Sequence, residues 1–243
     1  MSPEVQHLEN APIKEALIDI QIKPLPSVPE QTFKHIKEAI LDDYPDSRDI
    51  QRAQITLALS DSSAQSKQEH LGVAYISEDG KQIFQARNNG FTFSRLKPYT
   101  SWESMRTEAQ RLWGLYRDFF NPEQITRLAV RYINRLELQS PLEFSEYLTA
   151  PPNKPKDTPD QLISFLTRNV IPISNDQAVT IFTQAMEQVT KENMVSIIID
   201  IDVFKEKEIG VTENFWEILD GFRDIKNQFF FGSITDKAMD MYK

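Results

Sequence analysis

No cysteine occurs among the 243 residues of the chain. That absence excludes disulfides, thiol nucleophiles, thiolate zinc sites and cysteine-held iron–sulfur clusters together. Histidine is scarce, with three residues, His7, His35 and His70, and no two stand at a motif spacing such as H-E-x-x-H. Seven glycines are too few for generous phosphate-cradling loops, and no G-x-x-x-x-G-K, G-x-G-x-x-G or G-x-S-x-G occurs. The sequence offers no run of about 18 apolar residues, so no membrane-spanning helix is expected. Its start, MSPEVQHLENAPIKEA, lacks the basic and apolar segments of a secretory signal, and the expected location is the cytoplasm. Net positive charge is also missing. A formal charge of −9 and a pI near 5.0 argue against nucleic acid as a partner, because non-specific binding rests on Lys and Arg neutralising phosphates.

What remains is an ordinary globular composition, 40% hydrophobic and 26% charged. Hydrophobic period divides it into elements. Residues 15–23 alternate, with Ala16, Ile18, Ile20 and Ile22 on one face and Asp19 and Gln21 on the other, which predicts a half-buried strand. PEQTFKHIKEAILDDY predicts an amphipathic helix that starts at Pro29 and Glu30 and halts before Pro45, with Phe33, Ile36, Lys37, Ile40 and Leu41 at helical spacing. Strand-like runs follow at 53–60, 71–77 and 81–96. Ser77-Glu-Asp-Gly80 supplies a hairpin signal, and Asn88-Asn89-Gly90 bends or splits the third run. SWESMRTEAQRLWGLYRDFF then predicts a long helix capped by Ser101, its stripe running through Met105, Ala109, Leu112, Trp113, Tyr116 and Phe120.

The order then starts again, with a strand over 125–138, a short helix from Pro141 to Leu148, a Pro-rich loop at 149–161, three more strands, and a second long helix capped by Thr212. Each half ends in a helix with an early Trp, Trp102 or Trp216, and a late Phe pair, Phe119-Phe120 or Phe229-Phe230. The expectation is an α+β protein, one domain of two structural halves at about 12–122 and 123–243. Two pseudo-repeats of strand, helix, three strands and helix would form one curved antiparallel sheet with helices on one face. That element order resembles the TATA-binding-protein saddle; a helix-grip fold is the neighbouring alternative.

On such a sheet RLAVRYINRLEL (127–138) puts Leu128, Val130, Tyr132, Leu136 and Leu138 on the helix side, interrupted by Asn134. Arg131, Ile133, Arg135 and Glu137 then lie on the free side. In MVSIIIDIDVF (194–204) the odd positions are core, leaving Asp200 and Asp202 free, and Asp19 joins them. Asp19, Arg131, Arg135, Asp200 and Asp202 therefore form a candidate binding face. It is either a solvated, mutually neutralised surface or a concave face whose arginines hold a phosphate or carboxylate. The Asp200/Asp202 spacing resembles a D-x-D magnesium pair, yet without a further acidic partner no metal is expected. No catalytic residue and no cofactor is assigned. Asn134, on the core side next to Tyr132, needs hydrogen-bond partners if it is buried, which makes it either a polar anchor or a pocket group. Phe229, Phe230 and Phe231 in a row cannot all face one core, which makes them a candidate partner surface, with packing under a terminal helix as the other reading. That terminal helix, KAMDMY, takes its cap from Ser233 or Thr235.

Three fragments, NAPIKEA (10–16), RYINR (131–135) and FGSITDKA (231–238), together resemble a sporadically distributed, uncharacterised prokaryotic protein family of about this length. The resemblance implies no cofactor and no catalytic residue. Its patchy distribution is of the sort seen for mobile, defence-linked or toxin–antitoxin genes. The leading expectation is a non-enzymatic binding protein that engages a partner protein in a prokaryotic defence or toxin–antitoxin system, with a homodimer left open. The alternative is a small-ligand or nucleotide-binding protein, or a hydrolase, working through the Arg/Asp face.

Overall fold

The computed structural model describes residues 8–58, 63–140, 142–159, 162–175, 177–188 and 193–243, and within them all side chains other than those of 53–58, 63–67 and 188. His7 lies outside these residues. Among them, nine strands form one antiparallel sheet and four α-helices accompany it, an α+β fold. The strands are β1 (Ile13–Ile22), β2 (Asp46–Ala58), β3 (Ser63–Ile76), β4 (Gln82–Arg87), β5 (Gly90–Leu96), β6 (Gln124–Gln139), β7 (Leu166–Ile173), β8 (Ala178–Gln188) and β9 (Met194–Gly210). The helices are α1 (Glu30–Ala39), α2 (Trp102–Phe120), α3 (Trp216–Ser233) and α4 (Asp236–Asp240). The strand order is β2-β3-β4-β5-β1-β6-β9-β8-β7, so β1 and β6 meet at the centre.

Alternation in the central strands dictates which face is core. Ile18 and Ile20 of β1, Phe91 and Phe93 of β5, Val130 and Tyr132 of β6, and Ile199 and Ile201 of β9 are all fully buried. The helices pack on that face. All six stripe residues of α2 are buried, and full burial of a large apolar side chain contributes about 1.5–3 kcal/mol. Trp113 makes edge contacts with Phe91 at 5.7 Å and with Phe215, just before α3, at 5.8 Å. The two long helices are also joined by a hydrogen bond from Trp102 Nε1 to Asp220 Oδ1 (2.7 Å).

Several boundaries differ from the sequence reading. The third run divides at Asn88-Asn89 into β4 and β5, so four strands follow α1. β2 and β3 extend beyond the expected runs over polar stretches that lack an apolar face to betray them; the side chains of 53–58 and all of 59–60 fall outside the described residues. The short helix expected over 141–148 shrinks to a 3-10 turn at Phe144–Glu146. Tertiary pairing ends it, because Leu148 bridges to Ile234 and Thr149 N donates to Ser233 O. Position 141 itself is outside the described residues, as are 160 and 161 of the Pro-rich loop. Ser101 caps α2 as expected, its Oγ accepting from Ser104 N (3.1 Å). Thr212 does not cap α3, which begins at Trp216; the Glu213 carboxylate accepts from Gly210 N and closes the preceding turn instead. Thr235, not Ser233, caps α4. Leu41 on the α1 side is 48% exposed rather than buried, because α1 has ended at Ala39. No described helix is long and apolar enough to cross a membrane.

Candidate functional site

The face opposite the helices carries the charges that alternation placed there, and they are bonded to one another. Asp19 is the hub. Its carboxylate accepts from Arg87 Nη2 (2.9 Å), Arg127 Nη1 (3.1 Å) and the Thr92 hydroxyl (2.7 Å). Arg127 reaches on to Asp202 (3.1 Å) and stacks over Phe204 at 4.5 Å. Arg131 stands opposite Asp202 in the strand register but bonds diagonally and bidentately to Asp200, at 2.8 and 2.5 Å. Arg135 donates to Ser196 Oγ (2.9 Å) and lies 3.9 Å from Glu137 and 4.0 Å from Glu187. Burial lifts the Asp202 carboxyl above the usual range, against the opposing pull of Arg127 and Arg131. The five candidate residues thus share one face, where Asp19, Asp200 and Asp202 each hold a guanidinium, while Asp202 Oδ1 and Arg87 Nε are buried without a hydrogen-bond partner. Arg87 and Arg127 complete the network. Neither stood out in the sequence, because their role depends on register.

A second arrangement lies on the helix side, over the central strands. A cavity of about 460 Å³ opens between the start of α2, the middle of α3 and the β1–β6 pair. Two residues of β6, Tyr132 and Asn134, form part of its floor; both point to the core face because they are two apart on the strand. Asn134 is 2% exposed and donates from Nδ2 to Ile199 O (3.1 Å), so it is anchored to β9 and lines the cavity at once. The Tyr132 and Tyr99 hydroxyls share a hydrogen bond of 2.8 Å. Burial pushes the Tyr99 phenol up to about 12 and holds that of Tyr132 well above its ordinary value, so both stay protonated at neutral pH.

Lys226 of α3 also lines this cavity. It is 7% exposed, its ammonium lies 3.9 Å from the centre of the Tyr132 ring, and it donates to Asn227 Oδ1 (2.6 Å). Among the described residues no carboxylate lies within ion-pair distance of it. Desolvation, helped by the nearby Arg223 guanidinium, pushes the Lys226 amine down to about 7. Arg223 shares the cavity wall one helical turn away, bonded to Asp224 (2.9 Å). The cavity's carboxylates, Glu9 and Glu103, are exposed residues, whereas Arg223 is half-buried and Lys226 buried.

Sequence reasoning overlooked Lys226, although a signal existed: it falls on the buried stripe of α3 with Leu219, Phe222 and Phe230. The three phenylalanines are divided. Phe229 is half-buried and lies 5.9 Å from Phe182, Phe230 is buried, and Phe231 is half-buried beside it; the last two line the cavity. The three fragments NAPIKEA, RYINR and FGSITDKA converge here, through Ala11 and Ile13, Tyr132 and Asn134, and Phe231. A larger and more open groove of about 740 Å³ is acidic, and inside it the Glu108 carboxylate accepts from both Tyr44 and Arg111. His35 and His70 are both exposed. No family model matches the chain, and no curated protein is similar to it.

Proposed function

We propose that the protein binds a small anionic ligand in the cavity between α2 and α3. The observation that carries this reading is a buried amine, Lys226, in a cavity wall, with no carboxylate within ion-pair distance of it among the described residues. Burying an amine costs several kcal/mol unless a counter-charge offsets it, and a ligand carboxylate or phosphate would supply that charge. Arg223 adds a second cation, and Trp102, Phe230 and Phe231 add apolar wall. Convergence of three sequence-distant fragments on the same cavity supports the same conclusion. The Arg/Asp sheet face supports it less, since its guanidiniums already hold carboxylates.

Small carboxylates and phosphates should raise the melting temperature in a concentration-dependent way. Lys226→Met combined with Arg223→Gln should remove the shift while leaving the circular dichroism spectrum unchanged. A shift that survives the double substitution, or none with either anion class, overturns the reading.

A partner protein is the second reading, favoured by one edge of the sheet. β7 is an outer strand, and Leu166 and Val170 on it are 72% and 54% exposed, with Ile163 just before it 64% exposed. An open apolar strand edge is suited to pairing with an added strand. The finer plan, two pseudo-repeats joined into a saddle resembling the TATA-binding protein, is supported by β1 and β6 meeting centrally with β5 and β9 outside them. Defence or toxin–antitoxin pairing rests on the family resemblance. Leu166→Lys with Val170→Lys should abolish capture of a cognate partner encoded nearby; undiminished capture removes this reading.

A further inference from the structure

Resting on the cavity reading above, we propose that Lys226 captures a small aldehyde or ketone bearing an anionic group, holding it as an imine. The geometry supplies each part such a reaction needs. The amine lines the cavity, its one described hydrogen bond goes to the side chain of the next residue, and among the described residues no carboxylate lies within ion-pair distance of it. Arg223, three residues earlier on the same helix face, opposes protonation of the amine, and for the ligand's anionic group it would exchange its bond to the exposed Asp224 carboxylate. Desolvation beside another cation is the condition under which a lysine becomes a nucleophile near neutral pH. The paired hydroxyls of Tyr99 and Tyr132 border the same space and stay protonated, which equips them to pass a proton to the departing oxygen.

The chemistry balances without an external oxidant or reductant. The neutral amine attacks the carbonyl carbon, the C–N bond forms, and the carbonyl π electrons move to oxygen. Oxygen gains a proton as nitrogen loses one, giving a carbinolamine. A second proton transfer to that oxygen lets it leave as water while the nitrogen lone pair closes the C=N bond. Hydrolysis reverses every step, so the capture is reversible. A purely structural lysine, held over the Tyr132 ring by its charge alone, would do none of this.

The test treats the full chain with glyoxylate, pyruvate or 4-carboxybenzaldehyde near neutral pH, with and without cyanoborohydride, and maps adducts by peptide mass spectrometry. At least one compound should modify Lys226 roughly tenfold or more faster than any exposed lysine, since each unit of lowered pKa gives up to tenfold more neutral amine at such a pH. Lys226→Met should fold and lose that adduct alone. Equal modification of all lysines, or none at Lys226 with any of the three, overturns the proposal. Melting shifts measured without reductant separate the two readings. Pyruvate and its alcohol analogue lactate raising the melting temperature equally, with no adduct, would leave anion binding intact and remove covalent capture. No shift with any of these anions and no adduct would remove both.

Discussion

The Lys226 ammonium rests 3.9 Å from the centre of the Tyr132 ring, so the floor of the cavity and the cation above it are one unit. Its consequence is a dependence of stability on pH with a defined sign. The unfolded chain holds the Lys226 proton up to the ordinary value of 10.5, the folded chain only up to about 7. Between those pH values the unfolded state binds more protons, so this residue's contribution to stability rises with pH; below about 7 its full cost is felt. Arg223 and Asp224 face the same group, the first opposing its charge and the second favouring it, and Tyr99 and Tyr132 stay neutral through most of this range. Urea denaturation from pH 7 to 10 should show the stability gap between Lys226→Met and the parent narrowing as pH rises. A constant gap would contradict the buried amine.

Asp19 should be the costliest charge to remove from the sheet face. Its loss strands Arg87 and leaves Arg127 with Asp202 alone; the two guanidinium side chains are 21% and 17% exposed. Breaking a buried pair by deleting one partner costs about 3–5 kcal/mol. Asp200→Ala strands only Arg131, whose side chain is 42% exposed and can turn to water, for a cost of about 1 kcal/mol or less. Denaturation midpoints of the two variants check the ranking, and equal losses would contradict it.

The Tyr99–Tyr132 hydroxyl pair should couple in a double-mutant cycle. Tyr132→Phe or Tyr99→Phe alone leaves the other buried oxygen without its partner, costing about 1–3 kcal/mol. The double variant should lose less than the sum, with a coupling of about 1 kcal/mol. Strict additivity would mean the bond contributes nothing.

Gly72 should tolerate no side chain. A Cβ there would lie 2.1 Å from the Ala86 carbonyl oxygen and 2.7 Å from Arg87 Cα, where β3 and β4 run closest. Gly72→Ala must push the two strands apart, and a loss of about 2 kcal/mol or more is expected, read by thermal unfolding. Gly114→Ala on α2, where a Cβ meets nothing within 4 Å, should instead be neutral or stabilising by up to about 1 kcal/mol.

The contrast between β1 and β2 shows what the chain discloses before it folds. β1 alternates apolar and polar residues and sits at the sheet's centre, so its period and its faces were readable, as were those of β6 and β9. β2 begins DSRDIQR, too polar to signal a strand, and only its partner β3 makes it one. The Asp19, Asp200 and Asp202 carboxylates could be placed on one face by counting in twos. Which guanidinium each would meet could not, because Arg131 bonds diagonally across the register and Arg87 arrives from β4, two strands over. Lys226 was hidden for a different reason: lysine usually faces water, and only its position on an apolar stripe hinted otherwise. The cavity had no linear trace, since no single segment builds it.

Every wall of that cavity comes from a different stretch of chain: Ala11 and Ile13 before and on β1, Tyr99 before α2, Tyr132 on β6 and Lys226 on α3. Its shape depends on α2, α3 and the β1–β6 pair keeping their places together. Occupancy should therefore slow amide hydrogen exchange throughout β1 and β6, far from any atom a bound molecule touches, while the outer strands β2 and β7 keep their own faster pace.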